Sequence, residues 1–207
     1  MSSFYTTIKE YAEDRFIERR SEFIGYIIPC QTESEAIDFI NKIKEQHRKA
    51  THNCYCYILR ENNTTRYSDD GEPQGTAAVP MLDVLKKENL TDVCLVVTRY
   101  FGGILLGGGG LVRAYSHAAK IAVDATTKLN MYECIIVTIK ADYSLYGKIA
   151  YALNDFNQKQ SESSFSDTVS FTIILEKSQR EAFAKKINEI TCGKAEIVFG
   201  DTIYADL

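Results

Sequence analysis

Apolar and polar positions alternate along residues 5–28, and the alternation predicts two or three strands. In RRSEFIGYIIP, Phe23, Gly25 and Ile27 share one face, while Ile24, Tyr26 and Ile28 share the other; Pro29 ends the run. The period then lengthens. TESEAIDFINKIKEQHRK sets Ile37, Ile40, Ile43 and Lys44 at three- and four-residue spacing, which predicts a helix. Thr32 or Ser34 can cap it, and Glu33 and Glu35 suit its N-terminal dipole. HNCYCYILR returns to a strand, Asn62–Asn63 marks a hairpin tip, and TTRYS comes back beside it. SDDGEPQGTAAVP is a loop by its Asp, Gly and Pro. Thr76 is placed to cap a helix through Val79, Leu82, Val84 and Leu85 to about Lys87, with Pro80 in its first turn. The buried strand TDVCLVVTRY leads through a glycine turn into a helix from about Gly110 to Thr127. Leu111, Ala114, Tyr115, Ala118, Ile121 and Ala122 form its apolar stripe. This first region reads as a mixed sheet with three helices.

A second cycle begins after it. YECIIVTIKA is a strand, SLYGKIAYALND a helix, and KQSESSFSDTVSFTIIL one or two strands broken near Phe165–Asp167. SQREAFAKKINEIT is a capped helix and KAEIVFGDTIYAD a final strand. The order βαββαβ is the split-βαβ, ferredoxin-like pattern. The expected fold class is α+β in two domains, 1–129 and 130–207.

Composition narrows the function classes. A net charge of −4 argues against coating nucleic acid through bulk charge, and leaves room for a local basic patch. Residues 130–207 hold 8 Lys and Arg against 11 Asp and Glu, which speaks against the second domain as an RNA platform. No apolar run approaches the ~20 residues of a transmembrane helix. MSSFYTTIKEYAED lacks a signal-peptide core, so a cytoplasmic protein with no membrane partner is expected. The six cysteines then read as reduced core residues. His52, Cys54 and Cys56 match no standard zinc spacing.

The glycine turn is the first candidate site. In TRYFGGILLGGGGLVRAYSH, Arg99 and Arg113 bracket Gly102, Gly103, Gly107, Gly108, Gly109 and Gly110. A strand, a glycine turn and a helix start offer free N–H groups to an anion, with two guanidinium groups nearby. Tight packing of helix on strand would demand the same glycines. No Lys-Ser/Thr follows them, so this is not a Walker loop.

SDDGEP is the second candidate. Asp69, Asp70 and Glu72 can ligate a divalent cation, receive Arg99 or Arg113 in an ion pair, or simply form a turn. All five charged residues are expected on one surface. Among His47, His52 and His117, no Ser-His-Asp set can be assembled, since Ser116 and His117 point apart on one helix. The expectation is no catalytic residue, no metal and no cofactor.

RSEFIGYI, ATHNCYCYIL, YSDDGEPQGTAAVPML and VVTRYFGGILLGGGGLVRAYSHAA together resemble the YigZ/IMPACT family, in order and at matching spacing. Two features depart from its pattern: Ala78 stands where a glycine is common, and Gly108 replaces an alanine. The resemblance implies an N-terminal α/β sandwich of the type shared by a ribosomal protein, the GHMP kinases and domain IV of elongation factor G. It implies a ferredoxin-like C-terminal domain similar to the last domain of that factor. His52 gains weight as a functional residue because ATHNCYCY belongs to the signature; Thr76 lies in the second signature. Eukaryotic members regulate translation under amino-acid stress by competing for an activator of an initiation-factor kinase. The bacterial members have no settled activity. The function implied by the resemblance is that of a non-catalytic factor contacting RNA, the ribosome or a translation protein through its N-terminal domain. The other reading is an enzyme or binding protein for a phosphate-bearing small molecule at the glycine turn.

Overall fold

The computed structural model describes residues 4–165 and 168–207. The chain is α+β and forms two compact units, one of Tyr5–Leu129 and one of Asn130–Leu207 together with Phe4.

The first unit contains β1 (Phe4–Ile8), β2 (Ala12–Glu18), β3 (Ser21–Pro29), α1 (Glu33–Gln46), β4 (His52–Leu59), β5 (Thr64–Ser68), α2 (Ala78–Lys87), β6 (Val93–Tyr100) and α3 (Gly108–Asp124). Its sheet runs β2-β3-β6-β4-β5. Every pairing in it is antiparallel, not mixed as the sequence suggested. The reason is topological. β3 and β4 run the same way but never pair, because β6 inserts between them. β1 lies outside this sheet; Thr6 bridges Leu90, and Ile8 enters the core.

Alternation along the strands gives the sheet two covered faces. On one, Phe23, Ile27, Cys54, Cys56, Leu95 and Val97 meet α2 and α3 through Met81, Leu85, Leu111, Tyr115 and Ala118. On the other, Ile24, Tyr26, Tyr57, Cys94 and Val96 meet α1. α1 turns Ala36, Phe39, Ile40 and Ile43 inward and leaves Ile37 exposed, so the expected stripe is off by part of a turn. Its cap is Thr32, in a capping box with Glu35. Gly25 lets α3 lie close on β3: a Cβ there would overlap the Ala118 carbonyl oxygen and stand 3.0 Å from the Ala122 Cβ.

The second unit contains β7 (Lys128–Asp142), α4 (Tyr146–Leu153), β8 (Gln158–Phe165), β9 (Thr168–Glu176), α5 (Arg180–Thr191) and β10 (Glu196–Asp206). The spatial order β10-β7-β9-β8, antiparallel throughout, is that of the split βαβ pattern. Ile135, Val137, Ile139, Phe171, Ile173 and Leu175 pack on Ile149, Leu153, Phe183 and Ile187. The expected strand break includes residues 166 and 167, which lie outside the described residues. α5 starts without a side-chain cap: its N-cap residue is Gln179, whose Oε1 accepts from the Asn157 N–H instead. All six cysteines are free thiols; Cys192 is exposed and the other five are buried. Among the described residues no helix is long and apolar enough to cross a membrane.

Candidate functional site

The alternation that buries Val93, Leu95 and Val97 of β6 beneath α2 and α3 carries Arg99 to the same face at the strand's end. Arg99 is therefore only 5% exposed. A charge so placed needs a partner, and Glu72, 8% exposed, supplies it. Arg99 Nη1 donates to Glu72 Oε1 at 2.6 Å, and the Tyr115 hydroxyl of α3 donates to the same oxygen at 2.8 Å. Burial raises the Tyr115 hydroxyl far above its ordinary range, so it stays a donor. The guanidinium lies between the rings of Phe23 and Phe101, 5.4 Å from each centroid. Its Nε is buried with no hydrogen-bond partner.

His52 sits directly across from Arg99 in the β4–β6 register. Its Nδ1 is 2.9 Å from the Asp70 carbonyl oxygen, so Nδ1 carries the hydrogen and donates. Nε2 lies 3.8 Å from Glu72 Oε1. The loop that delivers Asp70 and Glu72 turns through positive φ at Asp70 and Gly71.

The three loop acids take separate tasks. Asp69 lies under the start of α2, where its carboxylate accepts from the N–H groups of Gly75, Ala77 and Ala78 at 2.8, 3.1 and 2.8 Å. It does the capping expected of Thr76, whose hydroxyl donates to the Pro73 carbonyl instead. Asp70 accepts from Lys44 Nζ and from the Asn53 N–H, at 2.8 and 2.7 Å. Glu72 alone reaches Arg99. Cys54 Sγ donates to the Asp69 carbonyl, and burial pushes its thiol up to about 12.

Glu72, Arg99 and His52 form one wall of a cavity of about 390 Å³. Phe101, Leu105, Leu106 and Leu111 make its apolar side, and Gly107 and Gly108 bring in the N-terminus of α3. Gly107, at φ 71°, is the cap residue, and no side chain caps the helix. The first N–H groups of α3 have no acceptor within the helix, by geometry.

The glycines of the turn divide by role. A Cβ on Gly102 would overlap the Arg20 carbonyl, and one on Gly110 would stand 3.0 Å from the Leu106 Cβ, so these two serve packing. Gly103 and Gly107 take positive φ. A Cβ on Gly108 would meet nothing within 4 Å.

Arg113 does not share the Arg99 cavity. It lines a second one, of about 250 Å³, with Glu18, Arg19 and His117. Leu106 lines both. The two arginines therefore line different cavities, one spent on a buried carboxylate and the other near Gly109, with Nη1 3.7 Å from where a Cβ there would be. The five charged residues do not converge on one surface.

The other two histidines meet aromatic side chains. His47 is hydrogen-bonded at both ring nitrogens, to Tyr26 and Tyr100. His117 meets the ring of Phe16 edge-on. Among the described residues no group of three or more His, Cys, Asp or Glu is placed to hold a metal ion. Tyr115 and Phe101 were missed as site residues: one reads as helix core and the other as a loop aromatic, and spacing alone separates neither from packing.

The Impact N-terminal domain matches residues 19–123, which include every residue of this cavity, and a domain of unknown function, DUF1949, matches residues 139–194. The chain belongs to the IMPACT family. IMPACT family member YvyE of Bacillus subtilis is 42% identical over 203 residues, covering 98% of this chain and 94% of that protein. The Protein IMPACT homolog of Dictyostelium discoideum is 33% identical over 127 residues, 59% of this chain and 34% of its own. A solved structure described as that of a hypothetical protein superposes with a TM-score of 0.62 at 26% identity, covering 96% of this chain and 97% of its own.

Proposed function

We propose that this IMPACT-family protein is a non-catalytic, translation-associated regulatory factor that contacts RNA, the ribosome or a translation protein through residues 1–129. Membership of a family with eukaryotic relatives fits a regulatory role. The observation that carries the reading is the rim of the cavity. Leu105 is 80% exposed on the loop after β6, with Phe101 and Ile104 also exposed beside it. Arg19 donates to the Leu105 carbonyl at 3.5 Å, and Arg113 flanks the adjoining turn of α3. Apolar side chains grouped with arginines at a surface are the composition of an interface.

The test is a pull-down from lysate at low and high salt, with Leu105→Asp and Arg113→Ala beside the wild type. Ribosomal or translation components retained by the wild type and lost in both folded variants support the reading. A wild type that retains none at low salt overturns it. A second reading, a phosphate-bearing small molecule at the glycine turn, is favoured by the cavity itself, whose volume lies within the roughly 300–1,000 Å³ of small-ligand sites.

A further inference from the structure

We infer that the second cavity, between the β2–β3 turn and α3, seats an acidic side chain of a protein partner: an aspartate or glutamate in a segment whose neighbouring residues are aliphatic or aromatic. The inference rests on the first reading above, in its protein-contact form, and gives the partner a chemical class.

The cavity has an apolar floor and a basic rim. Phe16, Leu106 and Ala114 line it together with Arg19, Arg113 and Glu18. Phe16 stacks on the buried Phe23 and meets His117 edge-on, which anchors the floor in the core. Among the described residues Arg113 takes part in no ion pair. Arg19 has only Glu18, at 3.9 Å, with the two side chains 58% and 49% exposed. The cavity thus sets two guanidinium groups against one loosely held carboxylate, and its charge is completed by one carboxylate more. Arginine's planar fork suits that group, which it can hold through two parallel N–H bonds.

Arg19 is held at the rim by a strained turn. Arg19 and Arg20 fill the two positions between β2 and β3 at φ 46° and 66°. Asn and Gly are the usual residues there, because other side chains are strained in the left-handed region. The surroundings keep the turn in place. Gly102 leaves the room that the Arg20 carbonyl fills, and its N–H donates to the buried Ser21 hydroxyl at 3.2 Å. Arg19 Nη1 donates to the Leu105 carbonyl. An arginine positioned before its partner arrives loses less side-chain freedom on binding. The same contact joins the cavity to the apolar loop, where Ile104 and Leu105 are exposed. A carboxylate between Arg19 and Arg113 therefore sets its neighbours against aliphatic side chains. Charge disfavours a nucleic-acid strand on this face. Asp14 and Glu18 stand on either side of Phe16 along the same face of β2, both exposed. A backbone with a phosphate at every nucleotide would meet them, whereas a single carboxylate needs only the excess cation.

A random dodecapeptide library displayed on phage, selected on the full chain, tests this. Enriched peptides are then synthesised with a fluorescent label and titrated by anisotropy. They should carry an Asp or Glu beside a large aliphatic or aromatic residue, and changing that acid to its amide should weaken binding about tenfold or more. The informative variant is Arg19→Asn. Asparagine suits the turn, so the fold keeps or gains stability while the guanidinium is lost. Arg19→Asn and Arg113→Glu should each weaken the acidic peptides by about tenfold or more, with circular dichroism matching the wild type. No enrichment, enriched peptides without acids, or affinity indifferent to the amide change or to both variants overturns the inference. So does a mixed-sequence RNA dodecamer that binds more tightly than the peptides and is weakened by the same variants. Ribosomal or translation components retained in the pull-down above, with no acidic peptide enriched, leave the broader reading standing and remove the inference. Acidic peptides bound as described, with nothing retained from the lysate, leave the seat standing and remove the translation partner.

Discussion

Glu72→Gln should destabilise the first unit severely for so small a change. The substitution keeps an acceptor for Arg99 and for Tyr115 but removes the charge that neutralises the guanidinium. Arg99 would then stand as an uncompensated cation between two phenyl rings, 5% exposed and with Nε already unpartnered. Removing one member of a buried pair costs about 3–5 kcal/mol, and the retained amide oxygen puts Glu72→Gln at the lower end, about 3 kcal/mol. For a unit of this size, near 4 °C per kcal/mol, Tm falls by about 12 °C. The companion variant removes the whole polar set: Glu72→Leu, Arg99→Met and Tyr115→Phe together. With no charge left to desolvate, it should unfold within about 1 kcal/mol of the wild type. The chain has no tryptophan, so urea and thermal unfolding are best followed by far-ultraviolet circular dichroism. A Glu72→Gln midpoint within about 1 kcal/mol of the wild type, or a triple variant as unstable as the single one, would refute the reasoning.

Asp69→Ala should cost about 2 kcal/mol, since three N–H groups at the start of α2 lose their acceptor; a larger loss from Thr76→Ala in the same urea titration would show the cap to be misassigned. Burial holds His47 below its ordinary 6.5, so on acidification the unfolded chain takes up the proton first and stability is lost as pH falls below about 6.5. Unfolding midpoints from pH 7 to pH 5 should fall in the wild type and stay flatter in His47→Phe; parallel slopes would sink the idea. Burial pushes Cys30 and Cys54 up to about 12, while Cys192 is exposed. A thiol reagent at neutral pH should therefore titrate one thiol in the native protein and all six in urea, and two or more rapid native equivalents would contradict that.

Local pattern sufficed for the elements because each is amphipathic on its own terms: Phe23 and Ile27 against Ile24 and Tyr26 on β3, or Leu111 to Ala122 on α3. Pattern misses what depends on strand order. β6 inserting between β3 and β4 turns an expected mixed sheet into an antiparallel one, and no residue of β6 announces that. At the site, the glycine turn and the acidic loop stand out in the sequence because both are unusual in composition. Their division of labour does not. Asp69 reaches Ala78 from nine residues upstream, and Glu72 meets Arg99 across 27 residues, so only the folded loop decides which acid faces which partner. Likewise, the sequence does not show that Arg99 and Arg113 line different cavities, with Leu106 contributing to both.

The contact of Gly25 with Ala118 and Ala122 acts as a mechanical stop. It pins α3 ten residues beyond Gly108, about 15 Å along the axis. With its middle clamped on β3, the helix cannot slide along its own length or withdraw from the sheet. The position of the amide groups at its tip is therefore fixed from a strand that does not line the cavity. A bulkier residue at position 25 would lever α3 outward and widen the gap between Gly107 and His52, altering the aperture without touching any group inside it. The mouth of the cavity is then left to the span from Phe101 to Leu106, with Leu105 exposed at its edge.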